Sequence, residues 1–267
     1  MMPKIDLPDV TLVSVDTTDD LSGTLRGVYT SMSGINYGAV KLITTQEQID
    51  KNPQLADEGI TAEVSVAPIK NYNDYNHYVI YDLHNHVETS HCLLVQPDGF
   101  VLFPDKWDDE WLKYDYIGAP WAYVEDAYID PFGRHWRVGN GGFSLRSKAF
   151  LEVPTKVEVP WETNNSDFYW MPEGVVNYHE DGNVCVHNRH IFQHEGMQYA
   201  PVDVAVRFSQ ETRVPEAEGI TPFGFHYRLP PGVELGRSDI ITLVIMEGLV
   251  TRCSSMLPQE VLLTIRG

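Results

Sequence analysis

A few short stretches of the chain carry residue types that do chemistry. Gln96-Pro97-Asp98-Gly99 follows an apolar run with a carboxylate beside a glycine. A carboxylate so placed suits a hard divalent cation, because Mg²⁺ and Mn²⁺ take oxygen ligands and bridge protein carboxylates to substrate phosphates. The same residues are ordinary turn formers, so a plain turn is the competing reading. Val138 to Ser147 sets Gly139, Gly141 and Gly142 around Asn140. Such a cluster either opens backbone N–H groups to a ligand or lets two chain segments cross closely. It is neither the Gly-x-Gly-x-x-Gly fingerprint nor a Gly-Lys-Ser/Thr phosphate loop.

His179-Glu180-Asp181 places two adjacent carboxylates at an expected helix start. Asp181 suits an N-cap, and either acid suits a general base for a hydroxyl within hydrogen-bond reach. His187, His190 and His194 are spaced to share a helical face but lack the His-Glu-x-x-His signature, and read as a polar stripe. His226, alone in Phe223-Gly224-Phe225-His226-Tyr227, reads as a core histidine with a satisfied hydrogen bond. Asp105, Asp108, Asp109 and Glu110 beside Trp107 and Trp111 read as a solvated, capped helix start. Neither Gly-x-Ser-x-Gly nor a Cys–His motif is present to support a nucleophilic hydrolase.

The elements that must position these residues alternate. Val10 to Val15, Ala39 to Thr44, Ile60 to Val66 and His91 to Val95 have the apolar, β-branched character of buried strands. Leu21 to Met32 and Tyr72 to Val87 carry apolar residues at helical spacing. Strand–helix–strand alternation predicts βαβ units and a mostly parallel sheet, with ligands beyond the carboxyl ends of the strands, where Asp16 and Asp98 fall. Further on, Val153 to Gly174 reads as a long loop, Asp181 to Gln193 as a helix and Tyr199 to Phe208 as a strand. The expected division is a domain over residues 1–235 and, after Pro230-Pro231-Gly232, a packing or oligomerisation appendage over 236–267.

Composition narrows the function classes. The chain has 267 residues, 43% of them hydrophobic, with 19 Lys+Arg against 38 Asp+Glu, a net charge of −19 and a pI near 4.7. A sequence-independent nucleic-acid binder needs a basic surplus, so that class is disfavoured. A local groove built from Arg134, Arg137 and Arg146 is the one arrangement that would compensate. No apolar run approaches the ~20 residues of a membrane span. An N-terminus carrying Asp6, Asp9, Asp16, Asp19 and Asp20 is no leader peptide. Three scattered cysteines make no disulfide framework. The expectation is a cytoplasmic protein of a reducing compartment, host cytoplasm if the source is viral.

Several segments, in order, resemble one family: Leu94-Val-Gln-Pro-Asp-Gly-Phe-Val101, Trp107 to Trp121, Val138-Gly-Asn-Gly-Gly-Phe-Ser-Leu-Arg-Ser147, Glu180-Asp181, Ala200 to Ser209 and Phe223-Gly-Phe-His226. The family is a poorly characterised set of glycosyltransferase-like proteins of microbes and viruses, related to the GT-A nucleotide-sugar transferases. The resemblance spans Val10 to His226. It implies a GT-A-like, Rossmann-type α/β fold with a mostly parallel mixed sheet flanked by helices. It further implies transfer of a sugar from a nucleoside diphosphate sugar to a hydroxyl acceptor, a glycan or a modified nucleobase, with Mn²⁺ or Mg²⁺.

By the same resemblance Val15, Asp16 and Thr17 hold base and ribose, and Tyr75 and Asn76 line that pocket. Asp98 and His226 hold the metal and diphosphate. Asn140, Gly141 and Gly142 border the sugar, Trp121 and Arg137 the acceptor, and Asp181, or failing it Glu180, is the catalytic base. Gln96 stands where the family's Asp-x-Asp element carries its first acid. That departure keeps a non-catalytic nucleotide-sugar binding module as an alternative. A nucleotidyltransferase is another, although the acidic Asp16-Thr-Thr-Asp-Asp20 stretch is unlike the basic phosphate loop it needs.

Overall fold

The longest buried runs make the centre of the sheet. In β1 (Ile5–Val15) every residue from Val10 to Val15 is buried, and in β4 (His91–Leu94) all four are. Strands apolar on both sides must be covered on both faces, as parallel strands between helices are. The computed structural model, which describes residues 4–125, 127–161 and 179–227, shows this arrangement. A six-stranded sheet has the order β3-β2-β1-β4-β7-β6, using β2 (Ile35–Thr44), β3 (Thr61–Val64), β6 (Tyr116–Gly118) and β7 (Ser144–Ser147). The first four run parallel, and β7 lies antiparallel to both β4 and β6.

Helices close both faces. α1 (Ser22–Met32) packs its Val28 into a core cluster with Val10, Leu12, Leu42 and Leu93. α3 (Tyr72–Tyr81) covers the opposite face, where Tyr78 and Val79 meet Val13, Val15 and Leu94. Asn71 caps α3 by accepting from Asp74 N at 3.0 Å, and α2 (Gln46–Lys51) is capped by Thr45 in the same way. The acidic stretch at 105–110 forms a capped turn as expected, Asp108 accepting from Glu110 N at 3.0 Å while Trp111 is fully buried beneath.

A second, three-stranded sheet of β5 (Gly99–Val101), β9 (Gly224–His226) and β8 (Ser209–Gln210) stands at the end of β4. Its register pairs His226 with Gly99, which brings the distant histidine beside Asp98. Between these strands lie the short helices α4 (Lys148–Leu151) and α5 (Val153–Lys156). Beyond them a helical stretch runs through α6 (Glu180–Gly182), a π turn (Asn183–His187) and α7 (Arg189–His194). The described residues make one α/β unit. No helix among them is long and apolar enough to cross a membrane.

Two expectations are corrected. Tyr199 to Phe208 is not a strand: Val202–Phe208 is helix α8. Its two outward residues, Asp203 and Arg207, stand four apart, the helical period, and Pro201 opens it without needing an N–H. The three valines suggested a strand because a short apolar run has no decisive period of its own. The long loop from Val153 begins instead as α5, and residues 162–178 lie outside the described ones, as does the appendage over 236–267.

Candidate functional site

The carboxyl end of β4, the first turns of α3, the glycine segment after Val138, the start of α6 and the second sheet converge on one cleft of about 220 Å³. Its lining includes Tyr72, Tyr75, Asn76, Gln96, Asn140, Gly142, His179, Glu180, Asp181, Glu211, His226 and Tyr227. Seven residues to which the resemblance gives a role therefore meet here: Tyr75, Asn76, Asn140, Gly142, Glu180, Asp181 and His226. Two of the glycines are required by close approach. A methyl on Gly141 would overlap Glu180 Oε1, and one on Gly142 would overlap the His226 ring. The cluster thus serves the second of its two readings, close crossing, and does so at the site itself.

The adjacent acids have different surroundings. Glu180 is buried, and its Oε1 accepts from Arg146 Nη2 at 2.8 Å. Its backbone N–H donates to Asn76 Oδ1 at 3.0 Å, and its Oε2 is buried with no hydrogen-bond partner. Burial pushes the Glu180 carboxyl up, against the pull of the Arg146 guanidinium. Asp181 is only half-buried, and its oxygens accept from Gly141 N at 3.1 Å and Gly182 N at 2.7 Å. Burial and the Glu211 carboxylate raise it to about 6. Asp181 is not the N-cap expected of it: His179 occupies that position, and the Asp181 carboxylate is turned to the glycine segment instead.

His226 stands between carboxylates. Its Nε2 is 3.7 Å from Asp98 Oδ1, and Nδ1 is shared by Glu211 Oε1 at 3.3 Å and Asn140 Nδ2 at 2.8 Å. Burial works against the charged ring, but Glu211, Asp98 and Asp181 outweigh it and hold the histidine above its usual value. The Pro97-Asp98 corner is the turn that its composition suggests, with Gln96 N donating to Gly99 O at 2.9 Å and Gly99 N to Gln96 O at 3.1 Å. Gln96 Nε2 reaches the Tyr75 hydroxyl at 2.6 Å.

The remaining candidates lie apart from the cleft lining. Asp16 Oδ1 accepts from Thr18 N at 2.9 Å and Thr18 Oγ1 at 2.7 Å, its Oδ2 accepts from Thr24, and Thr17 Oγ1 donates to Ile69 O at 2.9 Å. Val15 is buried at the end of β1. Trp121 stacks on Tyr128, ring centroids 4.5 Å apart at 8°. Arg137 is paired with Glu216 at 2.6 Å, Arg134 with Asp130 at 2.7 Å, and Arg146 is buried on Glu180, so these three arginines form no basic groove. His187 is buried while His194 is exposed, so the histidine stripe is broken. Among the described residues no three histidine, cysteine or acid side chains are grouped to hold a metal. Glu211 was missed: a lone glutamate ahead of Thr-Arg, it has no motif, and only the register of β8 on β9 brings it to His226.

A solved glycosyltransferase shares the architecture. A galactosyltransferase, LgtC, in complex with donor and acceptor sugar analogs, is 12% identical with a TM-score of 0.51, over 94% of this chain and 98% of that one. A glycosyltransferase involved in the glycosylation of the major capsid of PBCV-1 is 12% identical with a TM-score of 0.45, over 88% and 98%. At such identities the likeness is one of fold. No curated protein matches the chain by sequence. A family model does match, over residues 61–226, a segment holding every cleft-lining residue named above except Tyr227, and the chain therefore belongs to the family described as Protein of unknown function (DUF5672).

Proposed function

We propose that the protein is a glycosyltransferase that moves a sugar from a nucleoside diphosphate sugar to a hydroxyl acceptor, with Asp181 as general base. The observation that carries this reading is Asp181 itself. It is a half-buried carboxylate at the cleft, held by two backbone N–H groups and raised to about 6. A base with its pKa near the working pH is both available and strong enough to take a hydroxyl proton. Glu180, locked to Arg146, is the lesser candidate and fixes the geometry around it.

In this reaction the acceptor oxygen attacks the anomeric carbon as its proton passes to Asp181. The bond from that carbon to the diphosphate breaks with its electron pair, and the nucleoside diphosphate leaves. The cleft lining contains no lysine or arginine among the described residues, and Glu180, Asp181 and Glu211 all face it. An anionic diphosphate is repelled there unless a cation accompanies it. Asp98 and His226 fit that need: their facing atoms are 3.7 Å apart, within reach of two ligand bonds of about 2.1 Å. Binding a cation there requires the neutral ring with its Nε2 lone pair on the Asp98 side. A divalent cation, Mn²⁺ or Mg²⁺, held by these two residues would supply charge stabilisation to the departing diphosphate. The nucleoside end is assigned to Tyr75 and Asn76 with Val15 and the backbone of the Asp16-Thr17 turn, whose Asp16 carboxylate is engaged within the chain. The sugar is assigned to Asn140, Gly141 and Gly142, and the acceptor to Trp121 and Arg137.

A thermal-shift panel of nucleoside diphosphate sugars with and without Mn²⁺ tests the reading. A ligand at a hundred times its Kd stabilises by ~2.7 kcal/mol. A shift that needs both one sugar nucleotide and Mn²⁺, and that Asp98→Asn abolishes, is expected. A crystal soaked with that donor and showing its diphosphate remote from Asp98 overturns the proposal. A second reading, a sugar-nucleotide binding module without turnover, is favoured by Gln96, whose amide is engaged by Tyr75 rather than supplying a second acid. Donor binding with no transfer and no hydrolysis on any acceptor would select it.

A further inference from the structure

The hairpin from Trp121 to Arg137 has a built interior that continues out of the core. Asp130, buried at its tip, accepts four hydrogen bonds: from Phe132 N and Arg134 N at 2.9 Å each, Arg134 Nε at 2.7 Å and Trp136 Nε1 at 3.0 Å. That carboxylate fixes one end of an alternating column of rings and guanidinium groups. Buried Tyr199 lies 3.7 Å from Arg189 Cζ, which lies 3.9 Å from the Trp136 ring. Arg134 Cζ follows at 5.4 Å from Trp136 and 5.2 Å from Phe132. The column runs from the core to Phe132, which is 64% exposed, and Tyr123 across the hairpin is 61% exposed against His135. Rigid support for solvent-facing rings is what a recognition surface needs, since ordering is done before the ligand arrives.

Charge and position choose the ligand. Arg134 is neutralised by Asp130 and Arg137 by Glu216, on a chain whose net charge is −19. Polyanions and anionic membranes gain nothing here. What the surface offers is apolar ring faces rimmed by hydrogen-bonding side chains. A pyranose matches both, with a C–H face for the ring and hydroxyls for the rim. At the base of the hairpin Trp121 N donates to Arg137 O at 2.7 Å and the Trp121 ring stacks on Tyr128, which is held at φ +61°; the chain leaving Arg137 passes through Val138 into Asn140 and Gly142 of the cleft. The other described non-glycine residue at positive φ, Tyr227, lines the cleft itself. Strained backbone of this kind clusters at working sites.

We propose that the hairpin is an acceptor subsite that stacks a neutral oligosaccharide on Phe132 and Tyr123 and leads its end toward the cleft. The word acceptor rests on the transferase reading; the stacking does not. The full chain, labelled and applied to a printed array of neutral and acidic oligosaccharides, is compared with Phe132→Ala and Tyr123→Ala. Phosphatidylcholine/phosphatidylserine vesicles and the sugar-nucleotide thermal shift run alongside. Neutral oligosaccharides are expected to be retained by the native chain and held roughly tenfold less tightly by Phe132→Ala, with the donor-induced shift unchanged. Retention of no neutral oligosaccharide, retention that both variants leave unchanged, or Phe132-dependent capture by vesicles alone overturns the inference. A normal donor shift beside any of those results leaves the transferase reading standing. Phe132-dependent glycan binding with no donor shift removes that reading and keeps the subsite.

Discussion

Asp16 and Asp98 both follow parallel strands of the central sheet, yet the two strand ends are differently finished. At the end of β1 both oxygens of Asp16 are engaged by Thr18 and Thr24, so the chain itself satisfies the carboxylate. At the end of β4 the Asp98 carboxylate faces His226 at 3.7 Å, and behind that ring stand Glu211 and the cleft with Asp181. One end is a closed turn, while the other sets two carboxylates, Asp98 and Glu211, on a single histidine. A strand-end acid becomes a site only where its neighbours leave binding capacity open, since satisfied polar groups have little left to offer a ligand.

The strongest way to break this contrast is on the open side. Asp181→Asn is expected to lower transfer by ~10²–10⁴-fold, the usual worth of a general base, with the donor-induced thermal shift retained. Near-native turnover in this variant removes the base assignment. Next in size is the support beneath. Arg146→Met leaves the buried Glu180 carboxylate without its partner and is expected to cost ~3–5 kcal/mol in denaturant unfolding. A loss below 1 kcal/mol would mean that Glu180 is neutral in the native state. On the closed side Asp16→Asn is expected to cost about 1 kcal/mol of stability, one hydrogen-bonded group's worth, and to leave the donor affinity within twofold. A tenfold loss of donor affinity there would instead support a direct ribose contact of the Asp16 carboxylate, as the resemblance implies.

The same contrast explains what the sequence could reveal. The parallel half was legible because its strands are continuous apolar runs and its helices amphipathic, patterns that local periodicity reports. The adjacent Glu180 and Asp181 were visible as a pair, but their division of labour was not. It depends on Arg146 lying under one of them, and Arg146 reaches that place only through the pairing of β7 with β4. Gly141 and Gly142 announced a close approach without saying to what, and the answer, Glu180 and His226, comes from remote parts of the chain. Glu211 had no local signal, because its relevance is created by a two-residue strand. Where function rests on register between distant strands, single-sequence reading finds the residues and not their partners.

The smallest expected effect is also the most specific. Asp181 is raised to about 6 by burial first and by the Glu211 carboxylate second. The working form of a base is the deprotonated one, so kcat for transfer should rise with pH through a midpoint near 6 and level off above it. Glu211→Gln removes one of the two causes, and the midpoint should then move down, toward the ordinary range of an aspartate, while the plateau is set by the unchanged Asp181. Removing Glu211 also loosens His226, so a lower plateau with a fixed midpoint would show that the two residues communicate only through the histidine. A downward midpoint identifies the carboxylates as a coupled pair across the cleft. That coupling is absent at the closed end of β1, where Asp16 meets only hydroxyl and amide donors.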